Sequence, residues 1–393
     1  MEVQMVSPWY PSEYNPYSGN FVRSQVRALL QEGVHARVEV PMGFATSPKA
    51  NPLIAWQSLR AVAEKNIENC FRTEGEATYI PCPMPANPSS LEKAKSFAKG
   101  IHFKREFLPT EADVIHAHLG LPTGLALAGI SQQPLIVTEH QSNLRMLLAH
   151  REARESYKQV IHESAAFLCV SEFLKKQITS VLDDPITKSI QVVPNVLDFS
   201  ELEFIRREAF QSLSWIYVGN LTFQKGVSKL LKTFALYKKK VEPTATLTLI
   251  GNGPLHQWIK KFAQNHGLED SINLCGAQPH STLNKYFSEA DLMVHLSEYE
   301  TFGIAPLEAI VSGIPVITLN NGGSDYTLGD FKNKCAEIIE KPSSEKAIVE
   351  RIIHLTARSD KLDLAGACQI VKSRYSAEII AKQLLSIYQD CLS

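Results

Sequence analysis

Residues 291–319 read DLMVHLSEYETFGIAPLEAIVSGIPVITL. An apolar run (DLMVHLS, 291–297) gives way to a glycine turn, then a helical pattern (APLEAIVSG, 305–313), then a second apolar run (IPVITL, 314–319). Strand, helix and strand in so short a span make a βαβ unit, whose two strands must lie parallel. Gly303 and Pro306 are expected to precede the helical run, and Gly313 with Pro315 to close it, the usual asymmetry of helix ends. The same stretch holds Glu300 and Glu308 in nearly uncharged surroundings. Carboxylates among apolar residues need partners. A capping and a surface glutamate are one explanation; two acceptors aimed at the hydroxyls of a bound ligand are the other.

Upstream, the same rhythm repeats. SWIYVG (214–219), ATLTLIG (245–251) and INLCG (272–276) read as strands, separated by helical stretches at 227–240, 255–267 and 281–290. The N-terminal half offers VQMVS (3–7), ARVEV (36–40), DVIHA (113–117), PLIVT (134–138), AFLCV (166–170) and IQVVP (190–194). Between the first two lies FVRSQVRALLQ (21–31), with Val22, Val26, Leu29 and Leu30 on one helical face. The charged segment 199–212 separates the two series and is expected to be a hinge. The expectation is two doubly wound, Rossmann-like parallel-sheet α/β domains facing a cleft. They span residues 1–198 and 213–376, with an amphipathic helix in 377–393 returning to the first.

A chain of 393 residues exceeds one ordinary core, which agrees with two domains. Its 40 basic and 41 acidic residues nearly cancel, so the basic excess of a nucleic-acid binder is missing. Seven scattered cysteines without a CxxC pair suit reduced thiols better than disulfides or zinc. No apolar run approaches a membrane span, and the first residues lack a basic segment followed by an apolar one. A cytoplasmic location is expected, with peripheral contact to the membrane as an option. The stretch 91–109 supplies that option, mixing Lys93, Lys95, Lys99, Lys104 and Arg105 with Phe97, Phe103 and Phe107. A solvated helix face is the commoner outcome of such a pattern.

In open α/β sheets ligands bind outside the carboxyl ends of the strands. GNLTFQKG (219–226) follows one strand and GNGP (251–254) another. Glycines there allow close backbone approach, and Lys225 beside a helix N-terminus suits a diphosphate. Neither GxxxxGK[ST] nor GxGxxG occurs after any strand, which disfavours a Walker-type NTPase and an NAD-dependent dehydrogenase. Phe302, Gly303 and Ile304 present amides at another helix N-terminus. His118, in the strand-end HAH, reads either as half of a satisfied polar pair with His116 or as a ligand-facing group.

Taken in order, YVGNLTFQKG, LIGNGP, INLCGA, SEYETFGIAPLEAIVSGIPVI and NNGG resemble the donor-binding domain of glycosyltransferase family 4, the retaining GT-B enzymes. The N-terminal half agrees through SPWYPSEYNPYSGNFVRSQVRALLQEG, DVIHAH, VTEH, VSEFLKKQI and VVPNVLDF. The resemblance implies metal-independent sugar transfer, with retention, from a nucleotide-diphosphate sugar to an acceptor hydroxyl of a polysaccharide or glycolipid. UDP is favoured as the nucleotide, and no cofactor is required. It implies that Glu308 binds the donor ribose, that Glu300 holds the transferred sugar, and that Lys225 neutralises the leaving diphosphate. The amides of Phe302, Gly303 and Ile304 contact sugar and diphosphate, and the segment from Leu274 through Gly276 lines the base. His118 lies near the sugar's reactive face, and Gly19 belongs to a loop that closes over the diphosphate beside Gly219 and Asn220. Asn220 stands where the family usually has arginine. It can donate a hydrogen bond but brings no charge, so another basic residue (Arg23 or Arg145) compensates, or the chain is a weaker or non-catalytic nucleotide-sugar-binding relative.

Overall fold

The structure, a computed structural model, describes residues 1–46, 52–205 and 213–393. Residues 206–212 of the expected hinge, and residues 47–51, lie outside the described residues. The chain forms two compact units, Met1–Val196 with Ala377–Ser393, and Leu197–Ser376.

The first unit carries strands β1 (Glu2–Val6), β2 (His35–Ala45), β3 (Arg72–Glu74), β4 (Ala77–Met84), β5 (Val114–His118), β6 (Leu135–Glu139), β7 (Ala166–Cys169) and β8 (Gln191–Val192). Their order in the sheet is β3-β4-β2-β1-β5-β6-β7-β8, and all pairs are parallel except β3 with β4. Every residue of β5 and β6 is buried, as expected of strands covered on both faces. Helix Asn20–Gln31 turns Val22, Val26 and Leu29 into the same core as Ile380, Leu384 and Tyr388 of the last helix, Ala377–Leu392. Tyr388 also shares a hydrogen bond of 2.6 Å with His116 Nδ1, which anchors that helix on the middle of β5.

The second unit holds β9 (Ser214–Val218), β10 (Thr246–Ile250), β11 (Ile272–Gly276), β12 (Leu292–His295), β13 (Val316–Leu319) and β14 (Ala336–Ile339). All are parallel, in the order β11-β10-β9-β12-β13-β14. The chain winds outward from β9 to β11, then returns to lay β12 on the other side of β9. The switch point between β9 and β12 is where such sheets leave a crevice for ligands. In the first unit the same switch falls between β1 and β5.

Several local readings change. The helix after β12 spans Ile304–Val311, so Pro306 lies inside its first turn rather than before it, and Glu308 falls in the second turn. A proline is tolerated there because the first-turn N–H groups have no intrahelical acceptor. β3, β4 and β14 had no counterpart in the sequence reading. In the stretch 91–109, a helix over Ser90–Phe107, Lys104 is buried 3.2 Å from Glu39 and Arg105 sits 3.5 Å from the same carboxylate. Phe97 and Phe103 are core residues, leaving Lys95 and Lys99 among the exposed cations of that helix.

Candidate functional site

Gly226 adopts a left-handed backbone (φ +71°), and a Cβ there would fall 1.8 Å from the carbonyl oxygen of Leu296. Only glycine lets the loop after β9 press so closely on the end of β12. The contact places Lys225 beside the residues that follow β12. Its ammonium lies 2.7 Å from Oε1 and 2.8 Å from Oε2 of Glu300. Glu300 is held in turn by the loop after β13: its N–H donates to Asn321 O at 3.1 Å. Gly323 lies so near that a Cβ would come within 2.9 Å of Glu300 Cβ and 2.7 Å of Phe302 N. Asn321, buried, donates to Ser297 O and accepts from Ser324 N, while Asp325 Oδ1 accepts from the N–H groups of Asn321 and Gly322. The strand ends thus form one backbone-knitted rim.

Burial pushes the Glu300 carboxyl up, but the Lys225 ammonium, His295 and the Ser297 hydroxyl together outweigh it and hold the group below its ordinary value. His295 Nε2 stands 3.6 Å from Glu300 Oε1 with its ring stacked on Tyr217; burial lowers its pKa, so it is a neutral neighbour. Glu308 is also buried, yet its partner is not Lys225. Its Oε1 accepts from His280 Nε2 at 2.9 Å. His280 was not picked out from the sequence.

The remaining expected residues of this unit take these places. Gly219 has φ +152°, and its carbonyl oxygen would be 1.9 Å from a Cβ on Gly251, so the two glycine turns pack backbone to backbone. Asn220 accepts from Tyr217 OH through its main-chain oxygen, and its side chain is exposed. Gly303 is left-handed (φ +90°) at the start of the Ile304–Val311 helix, which suits its role as a helix N-terminus. The Phe302 ring is buried and packs edge-on against Tyr375 at 5.3 Å, so the ring faces the interior of the unit. Leu274 packs against the core of the unit, leaving left-handed Gly276 (φ +69°) at the open end of β11.

In the first unit, Gly19 (φ +65°) begins the Asn20–Gln31 helix; a Cβ there would lie 2.1 Å from Trp9 O. His118 ends β5 and is followed by Leu119 at φ +79°, a backbone region that a leucine enters only under constraint. Glu139 holds the next residue, Gly120. Fully buried at the end of β6, it accepts from the N–H groups of Gly120, His140 and Gln141 and from Tyr157 OH, at 2.8–3.0 Å. Burial raises its pKa in spite of these bonds. His118 Nδ1 and His140 Nε2 share a proton across 2.9 Å. Burial drives His118 down to about 3, so the ring is neutral. Its Nε2 is buried and meets no partner among the described residues. Of the two histidines, His116 is satisfied at both ring nitrogens by Tyr388 and Thr138, whereas among the described residues His118 is bonded through Nδ1 alone, to His140.

Among the described residues, no group of three His, Cys, Asp or Glu side chains is placed to hold a metal ion. Nor, among them, is any helix long and apolar enough to cross a membrane.

Residues 201–365 match the family described as "Glycosyl transferases group 1", and residues 18–201 the "Glycosyltransferase Family 4". Glycogen synthase of Mycobacterium tuberculosis strain H37Rv is 29% identical over 338 residues, 82% of this chain and 79% of that protein. Sucrose-phosphate synthase of Thermosynechococcus elongatus superposes with a TM-score of 0.72 at 18% identity, over 99% of this chain and 98% of that one. Anabaena HepE in complex with UDP-glucose gives 0.69 at 16% identity, over 99% and 100%.

Proposed function

Because this chain belongs to glycosyltransferase family 4 and carries the GT-B fold, we propose that it moves a hexose, with retention, from a UDP-sugar to an acceptor hydroxyl of a polysaccharide or glycolipid without a metal ion. The observation that carries this reading is the bidentate Lys225–Glu300 pair at the β9–β12 switch point. A cation for a diphosphate and an acceptor for sugar hydroxyls then lie side by side. The amides of Phe302, Gly303 and Ile304 add a helix N-terminus for the same anion. Glu308, with one oxygen occupied by His280, offers the other to the ribose. Gly219 and Gly276 bring backbone close to nucleotide and diphosphate.

In the transfer, the bond between the anomeric carbon and the leaving phosphate oxygen breaks. The bond to the acceptor oxygen forms on the same face, and the acceptor's proton passes to that phosphate. No side chain acts as a nucleophile. Lys225 stabilises the negative charge growing on the leaving group, the kind of fixed electrostatic contribution that dominates many enzymes. His118, neutral and with Nε2 unpartnered, is suited to bind a sugar hydroxyl. Asn220 removes one charge that the family usually supplies; the intact Lys225–Glu300 pair favours catalysis over a purely binding role. Cytoplasmic location and peripheral membrane contact through exposed Lys95 and Lys99 complete the reading.

Calorimetric titration with UDP, GDP, ADP and their common sugar conjugates tests it. Binding of UDP, weakened in Glu308→Ala, supports the assignment; a folded protein that binds none of them refutes it.

A further inference from the structure

His280 opens the short turn His280–Thr282 that follows β11 and stands between two carboxylates. Its Nε2 is 2.9 Å from Glu308 Oε1, and its Nδ1 is 3.3 Å from Glu201 Oε2. An ionised carboxylate only accepts, so both ring nitrogens donate and the ring is the imidazolium. The hydrogen bond to Glu308 outweighs burial and carries the ring's pKa up to about 9, so the cation persists at neutral pH. Charge-assisted bonds of this kind are short and directional.

The pairing matters because of where Glu308 sits. It is buried within a helix whose residues from Pro306 to Val311 are all buried. A glutamate has three side-chain torsions, and the helix backbone fixes none of the outer ones. His280 fixes them by pinning Oε1. Among the described residues, no protein donor meets Oε2. Glu201, on the outer side of the ring, keeps the imidazole plane from turning.

We propose that His280 is a positioning residue, bridging Glu201 and Glu308 so that the second oxygen of Glu308 is presented to the ribose hydroxyls of the donor nucleotide. The inference rests on the donor-site reading given above. Without the bridge, ordering the Glu308 side chain becomes part of the cost of binding, and the loss falls on ligands that carry ribose hydroxyls.

The test is calorimetric titration at neutral pH of wild type, His280→Ala, His280→Gln and Glu201→Gln. The probes are UDP, GDP and ADP, then the 2′,3′-dideoxy form of whichever binds. His280→Ala is expected to weaken the ribonucleotide about tenfold, the scale of one charged hydrogen bond. His280→Gln, which retains a donor, recovers part of that loss, and Glu201→Gln shows a smaller loss. The dideoxy analogue, which wild type binds more weakly, is unaffected by all three. Equal losses for the ribo and dideoxy forms, or no loss at all, overturn the proposal while leaving the donor site in place. Failure of folded wild type to bind any of the three nucleotides overturns the donor-site reading and this proposal together. Should His280→Ala not fold, Glu201→Gln carries the same comparison from a half-exposed position.

Discussion

Lys225 places its ammonium against both carboxylate oxygens of Glu300, at 2.7 and 2.8 Å, joining the loop after β9 to the loop after β12. Glu300 is 9% exposed. Removing one partner of a buried pair leaves the other charge uncompensated, which typically costs more than the pair itself contributes. Lys225→Ala is therefore expected to lower stability by about 3 kcal/mol and to reduce transfer by at least about 100-fold. Lys225→Arg retains the charge, so its melting temperature stays near wild type while turnover still falls. Thermal denaturation alongside a donor-release assay separates the two effects; near-normal transfer by the alanine variant would sink the assignment.

Gly226→Ala tests the backbone approach that makes the pair possible. The added Cβ meets Leu296 O at 1.8 Å and sits at a positive φ. A loss of about 2 kcal/mol or more is expected, with turnover falling by more than stability alone explains. Chemical denaturation gives the first quantity and initial rates on folded protein give the second.

His280 makes stability sensitive to alkali. Its pKa is about 9 in the folded chain and about 6.5 when unfolded. The contribution is complete below about pH 6.5 and is lost as pH rises through 9, amounting to about 3 kcal/mol. Burial also raises the thiols of Cys82, Cys169 and Cys335, so every variant loses some stability toward pH 9. Denaturation midpoints for wild type should drop more steeply across that window than those of His280→Gln.

The first unit responds to acid instead. Burial lowers the pKa of His116, His118 and His140, His118 to about 3. Below about pH 6.5 the unfolded chain takes up protons that the folded chain refuses, so stability falls as pH falls. His118→Asn should lessen the slope of stability against pH between 7 and 4 by close to one proton, and should cut turnover while sparing nucleotide affinity. An unchanged slope would mean that His118 is protonated in the folded protein.

The strands legible in the sequence are those buried on both faces, such as β5 and β6, because double burial writes a continuous apolar run. β4 hid behind Pro81 and Pro83, and β3 has three residues, RTE, without an apolar one. β14 carries Glu337 in its middle, whose charge is met by Arg351, His354 and Arg358 from elsewhere in the fold. Lys225 and Glu300 were nameable because a glycine turn and a family motif frame each. His280 was not, because its significance comes from Glu201, 79 positions away, and from Glu308, 28 positions away. The bond from Lys225 to a buried carboxylate was invisible in the sequence.

An ammonium that already faces a carboxylate yields little to a newcomer unless the newcomer offers more. On the donor-site reading, a free sugar has no charge to compete for Lys225, and a nucleoside monophosphate lacks the second phosphate group. A diphosphate can draw the ammonium away, and in doing so it frees both oxygens of Glu300 for the sugar it carries. The resting pair then works as an interlock: the carboxylate becomes available when its cation has been claimed by the group that must later depart.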